Sequence, residues 1–146
     1  MVGGQCLDLQ SDKLGEPLEP DTAYIRYMQG LKTGALLRFS CEAGAILANA
    51  SETDRMAMRK FGEHLGAAFQ LADDLLDVEG TPEAVGKATG KDEAAGKATL
   101  VGLLGVSQAR IKLTEIRAAA LDILSDYGPE ADSLRQATDF VVMRKS

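Results

Sequence analysis

The chain has 146 residues, of which 45% are hydrophobic and 26% charged, a composition typical of one globular domain. Its net charge of −6 argues against non-specific binding to nucleic acid. The two cysteines are too few for a disulfide framework or a cysteine-based metal site, and no apolar run reaches the roughly 20 residues of a membrane span, so the sequence favours a cytoplasmic protein.

The first predicted elements are helical. The opening residues 1–9, MVGGQCLDL, resemble the interior of a helix rather than the beginning of a domain. Residues 10–20 read as a polar connection that contains proline and glycine. A helix then follows from about residue 23 to about residue 49, with an N-cap in the preceding Pro-Asp-Thr.

A kink is expected inside this second helix. Gly30 and Gly34 flank the pair Lys32-Thr33, and each glycine weakens a helix by about 1 kcal/mol. The sequence leaves two interpretations of Lys32 and Thr33 open, an ordinary surface pair or a pair that a functional kink presents.

The third helix is expected to begin at a capping box, Ser51-Glu52-Thr53-Asp54, and to run to about residue 78. Residues 79–99 are rich in glycine and lysine. Two further helices are predicted, about residues 100–127 with a break near Gly105, and about residues 129–144 with proline in the first turn. No segment shows sustained β alternation, so the predicted fold class is all-α, with residues 1–146 forming a single domain.

A stripe of polar side chains lies on the third helix. At about 100° per residue, Gln70, Asp73 and Asp77 fall within a stripe about 60° wide, with Asp74 beside it. Their neighbours on the helix are apolar: Leu65, Phe69, Leu71, Ala72, Leu75, Leu76 and Val78. Ionised carboxylates in apolar surroundings repel and desolvate one another, and a divalent cation relieves both effects. Carboxylates four residues apart suit Mg²⁺, although a solvated or purely structural acidic face is the alternative.

Three Gly-Lys pairs follow this stripe in the chain. Lys87, Lys91 and Lys97 each come after a glycine, which lets the backbone approach a ligand closely. Lysine is a mobile point charge suited to phosphate. Read alone, the pairs are solvated loop lysines; read together with the acidic stripe, they indicate a metal–diphosphate site. Their spacing matches neither a Walker A loop nor a dinucleotide fingerprint.

In this order and spacing, the segments GGQCLDL, KTG, FQLADDLLD and GKATGKDEAAGKAT resemble the C-terminal half of the trans-isoprenyl diphosphate synthases, the family of farnesyl and geranylgeranyl diphosphate synthases. The resemblance implies part of an all-helical isoprenoid-synthase bundle. It also implies a prenyltransferase of isoprenoid biosynthesis, which ionises an allylic diphosphate and condenses it head to tail with isopentenyl diphosphate. The intact family site holds two or three Mg²⁺ ions.

The resemblance also assigns roles to individual residues. The Mg²⁺ ligands it implies are Asp73, Asp74 and Asp77, with Asp73 the best candidate for direct ligation. The lysines it implies for the allylic diphosphate are Lys32, Lys87 and Lys97. Thr33 and Gln70 match polar groups near the developing cation, and Phe69 matches a residue on the isopentenyl side.

The sequence also departs from the family pattern. It contains no DDxxxxD, the first aspartate-rich motif of the family, so the resemblance implies the C-terminal portion of a polyprenyl synthetase domain that is inactive by itself. The expected physical state is a homodimer or other self-association, because helix faces would be left uncovered. Two alternatives stay open, a non-catalytic partner or regulatory subunit of a complete synthase, and a helical bundle with structural aspartates.

Overall fold

The computed structural model describes residues 1–13, 22–79 and 99–144, with side chains described from residue 22 onward and for residues 1–7. These stretches are helical apart from short turns, and they contain no strand, so the all-α prediction is confirmed. The elements are α1 (Val2–Lys13), α2 (Thr22–Gln29), a π-helical segment (Gly30–Gly34), α3 (Ala35–Leu47), α4 (Glu52–Glu79), α5 (Leu100–Leu104), α6 (Val106–Ile123), a 3₁₀ turn (Pro129–Ala131) and α7 (Asp132–Met143).

The first helix corrects one prediction. Residues 10–13 are not part of the connection, because α1 continues to Lys13. Its residues before the proline- and glycine-containing part, QSDK, are compatible with a last helical turn. The helical interpretation of residues 1–9 is confirmed.

A π-helical segment joins α2 to α3. Gly30–Gly34 takes the wider turn while the chain remains helical on both sides, so the helix is re-registered rather than broken. α1 packs against this segment closely enough that a Cβ at Gly4 would collide with the backbone of Lys32. The helix is therefore irregular at the predicted position, in the form of a π turn.

The long helix α4 is the centre of the fold, because α3, α6, α7 and the π-helical segment all pack against it. Its N-terminus is capped as expected: the backbone N–H of Asp54 donates to Ser51 Oγ at 3.1 Å. The fully buried side chains of Phe61 and Leu71 lie on α4, and they join Ile25 of α2 and Leu124 after α6 in one core.

The predicted break at Gly105 separates α5 from α6, and Gly105 has a φ of 76°, a region that favours glycine. The last helix is likewise confirmed, with its first turn 3₁₀ around Pro129. Among the helices that the structure describes, none combines the length and apolar character needed to cross a bilayer.

Candidate functional site

The acidic stripe lies on the C-terminal third of α4. Asp74 and Asp77 are buried, with 8% and 6% of their surface exposed. Asp73 keeps 39% of its side chain exposed. Because successive helical residues point in different directions, the three carboxylates meet different surroundings, and Asp73 is the one most open to a ligand.

The apolar surroundings of the stripe are largely as expected. Leu65, Leu71, Ala72 and Leu75 are buried. Phe69 and Leu76 are partly buried, and about half of the surface of Val78 is exposed. One edge of α4 next to the stripe is thus open to solvent in the described part of the chain.

The end of α2 contacts the stripe. Gln29 Nε2 donates a hydrogen bond to Asp74 Oδ2 at 3.1 Å. The bond gives the buried side chain of Asp74 a hydrogen-bond donor from another helix. Gln29 is the last residue before the π-helical segment that contains Lys32 and Thr33, so the same contact holds the start of that segment beside α4.

The end of α7 contacts the stripe from another direction. Arg144 Nη2 donates to Asp73 Oδ1 and to the backbone carbonyl of Phe69, each at 3.3 Å. The guanidinium carbon lies 4.2 Å from the centre of the Phe69 ring, a cation–π arrangement. Arg144 thus joins two sequence-predicted site residues that are one helical turn apart.

The site residues predicted from the sequence divide into three groups. Those on α4 are Phe69, Gln70, Asp73, Asp74 and Asp77, and all lie within about two and a half turns of one another. Lys32 and Thr33 are half-buried on the π-helical segment, which packs against α4. Lys87 and Lys97 lie outside the described residues.

Sequence reasoning missed Gln29 and Arg144. Gln29 lay in an amphipathic helix with nothing to distinguish it from a surface residue. Arg144 stands at the predicted end of the last helix, where a basic residue is common because it interacts with the helix dipole. The pairing of either residue with α4 has no local signal, because it depends on how distant helices pack.

The carboxylate oxygens of Asp73, Asp74 and Asp77 are ligands that suit a hard divalent cation. Carboxylate oxygens are the ligands Mg²⁺ prefers, and proteins usually bind this ion through one or two carboxylates, with waters and substrate phosphates completing the octahedron. Within residues 1–13, 22–79 and 99–144, no three His, Cys, Asp or Glu side chains converge closely enough to hold an ion by themselves.

Comparison with known proteins adds independent information. A family model described as Polyprenyl synthetase matches residues 1–138. The farnesyl diphosphate synthase of Bacillus subtilis (strain 168) is 35% identical over 144 residues, an alignment that covers 99% of this chain and 47% of that protein. The chain spans about half the length of the curated relatives that it matches.

Solved structures agree with the fold. The apo crystal structure of an FPP/GFPP synthase from Zymomonas mobilis superposes with a TM-score of 0.83 at 38% identity, over 97% of this chain and 45% of that one. A polyprenyl synthase from Caulobacter crescentus CB15, crystallised with calcium and isoprenyl diphosphate, superposes with a TM-score of 0.86 at 25% identity, over 99% of this chain and 56% of that one.

Proposed function

Since this chain belongs to the polyprenyl synthetase family, as the match over residues 1–138 shows, we propose that it forms the half of a prenyl diphosphate synthase site that binds an allylic diphosphate through Mg²⁺. The reaction is head-to-tail condensation of that substrate with isopentenyl diphosphate. The observation that carries the proposal is the stripe on α4, where Asp73 is open to a ligand and Asp77 stands one turn further along the helix.

When bound, Mg²⁺ would neutralise charge on the departing pyrophosphate as a Lewis acid. Asp73 and Asp77 are the residues proposed to hold it, with Asp74 oriented from α2 by Gln29. In the reaction, the bond between the allylic carbon and the diphosphate oxygen breaks and pyrophosphate leaves. The double bond of isopentenyl diphosphate supplies the electron pair for the new carbon–carbon bond, and one proton is lost.

The remaining residues act on the substrates. Lys32 is proposed to bind the allylic diphosphate from the π-helical segment, together with Lys87 and Lys97. A π turn holds more residues than an α turn, so it changes which side chains of the following helix face a neighbour. Thr33 and Gln70 are proposed to point their dipoles at the developing cation, and Phe69 to supply an apolar wall on the isopentenyl side.

The names of the relatives described above are those of synthases, which support a prenyltransferase rather than a non-catalytic partner or regulatory subunit. The C. crescentus protein was crystallised with a divalent cation and an isoprenyl diphosphate, which supports the same ligand classes for this chain. A cytoplasmic location is part of the proposal, supported by the two free cysteines.

The test is binding of inorganic pyrophosphate, measured by calorimetry with and without Mg²⁺. We expect Mg²⁺-dependent binding that is abolished in the double variant Asp73→Ala, Asp77→Ala. A matched control is Asp122→Ala, Asp126→Ala, which removes two exposed aspartates at the same spacing and should bind normally. Equal binding by both double variants would exclude the stripe as the site.

A further inference from the structure

Arg144 is attached to the site by its side chain. Its backbone is extended, with φ −58° and ψ 144°, so α7 has ended and the side chain turns back to α4. The side chain is 13% exposed, far less than the carboxylate of Asp73 that it contacts. A charged group is thus held mostly out of water by one carboxylate, one carbonyl and one aromatic face.

The guanidinium of Arg144 uses only part of its hydrogen-bonding capacity in these contacts. Both hydrogen bonds come from the same nitrogen, Nη2, and at 3.3 Å both are longer than the usual range for charge-assisted bonds. Arg144 Nε is buried and has no hydrogen-bond partner among the described residues. A bidentate fork to Asp73 would use Nε or the second terminal nitrogen, so the observed pair is weaker than arginine and carboxylate can form.

Arg144 contacts the same carboxylate that is proposed to bind the metal ion. Asp73 Oδ1 accepts from the guanidinium, and the proposed function makes this carboxylate the leading Mg²⁺ ligand. Mg²⁺ binds carboxylate oxygens at about 2.0–2.1 Å, and a guanidinium beside the same carboxylate would repel the dication strongly. Because the ion pair between Arg144 and Asp73 is weak, Mg²⁺ can replace the guanidinium on this carboxylate.

We propose that Arg144 is a resident counter-cation of Asp73 that a divalent ion displaces, so that loading the site detaches the C-terminal end of α7 from α4. The inference rests on the proposed role of Asp73 in binding the metal. It adds that an arginine pairs with the carboxylate of Asp73 when no divalent ion is bound. It also adds that the end of the last helix responds to metal.

The first test follows Arg144 in the unmodified 146-residue chain by NMR. In the metal-free chain, the Nε–H of Arg144 should exchange slowly with solvent because it is buried. Addition of MgCl₂ should speed this exchange at least roughly tenfold. The Nε–H of Arg117, which is bonded to Asp139 at 2.8 Å, is the internal control and should not change. If Mg²⁺ shifts the resonances of Asp73 while Arg144 stays protected, the inference is wrong and the metal site stands.

The second test measures the affinity of Mn²⁺ by water-proton relaxation. Arg144→Gln should bind Mn²⁺ about three- to tenfold more tightly, because the competing cation is gone. Arg117→Gln removes the same charge from another ion pair and should leave the affinity unchanged. In an Asp73→Asn background, Arg144→Gln should have no effect, and circular dichroism should show each variant folded.

The outcomes separate the two proposals. Equal affinity of the unmodified chain and Arg144→Gln overturns the displacement and leaves the metal site intact. Equal affinity of the unmodified chain and Asp73→Asn overturns the assignment of Asp73 as a ligand, and the displacement falls with it.

Discussion

Gly66 of α4 and Gly34 at the end of the π-helical segment pack backbone against backbone: a Cβ built at Gly66 would lie 2.8 Å from the Cα of Gly34. No side chain fits in that contact. Gly66 precedes Asp73 by about two helical turns. The contact therefore sets the position of Lys32 and Thr33 along the axis of α4, relative to the acidic stripe.

Gly66→Ala should destabilise the chain by about 1–3 kcal/mol, because a methyl group would meet backbone that cannot rotate away. Urea unfolding followed by circular dichroism measures this. The matched control is Gly44→Ala in α3, where an added Cβ meets nothing within 4 Å and where alanine should be neutral or stabilise by up to about 1 kcal/mol. Equal stability changes in the two variants would contradict the close approach of α4 and the π-helical segment.

Gln29→Ala should destabilise by about 1–3 kcal/mol, because it removes a donor from the buried carboxylate of Asp74. Gln108→Ala on the exposed face of α6 is the control and should change the free energy of unfolding by less than about 0.5 kcal/mol. A double-mutant cycle with Asp74→Asn measures the coupling. Additive effects of the two substitutions would show that the hydrogen bond contributes nothing to stability.

Tyr127 should make the free energy of unfolding fall as the pH rises through the alkaline range. Burial, and then the hydrogen bond that its hydroxyl donates to Asp54 at 2.8 Å, raise the pKa of Tyr127 to about 12. A raised pKa means that the folded state favours the protonated hydroxyl. The contribution of Tyr127 to the stability of the folded chain is therefore complete below about pH 10, the pKa of tyrosine in the unfolded chain. It is lost as the pH rises through about 12, the pKa in the folded chain.

Two measurements check this prediction. Absorbance at alkaline pH should show a tyrosine that ionises near pH 12 in the unmodified chain and is missing in Tyr127→Phe. The difference in Tm between the two proteins should narrow above a pH of about 10. A constant difference across that range would contradict the raised pKa.

The chain should self-associate through α3. Four of its apolar side chains are exposed in a stripe opposite the contact with α4: Leu36, Phe39, Ile46 and Leu47. Light scattering during gel filtration should give a mass above that of one chain, because a contiguous apolar face is buried by association. Leu36→Lys, Phe39→Lys should shift the mass to the monomer. Ile111→Lys, which alters an exposed apolar residue on α6, should not.

The 146-residue chain by itself should show no steady-state prenyl transfer with Mg²⁺. It contains one aspartate-rich motif, whereas ionisation of a diphosphate ester requires charge stabilisation on both sides of the leaving group. The assay uses radiolabelled isopentenyl diphosphate with allylic diphosphates of different lengths. Robust turnover by the purified chain would contradict this prediction.

Local patterns predicted most of the helices correctly. The cap at Ser51, the glycine at 105 and the proline at 129 act within a few residues, so their effects are readable from the sequence. The prediction for residues 10–13 is wrong because proline and glycine act only within a few residues, and both lie further along the connection. The acidic stripe was found because helical periodicity and residue type are both local properties.

The sequence by itself determined the fold class, the helix that carries the aspartates and the chemistry that those residues favour. Tertiary structure decided which side chains meet them. Gln29 and Asp74 are 45 residues apart, and Arg144 and Asp73 are 71 residues apart. Such pairs form because helices pack at particular heights and angles, which close contacts such as Gly66 against Gly34 define. Periodicity fixes a direction around one helix axis, but it carries no information about the height at which another helix crosses it.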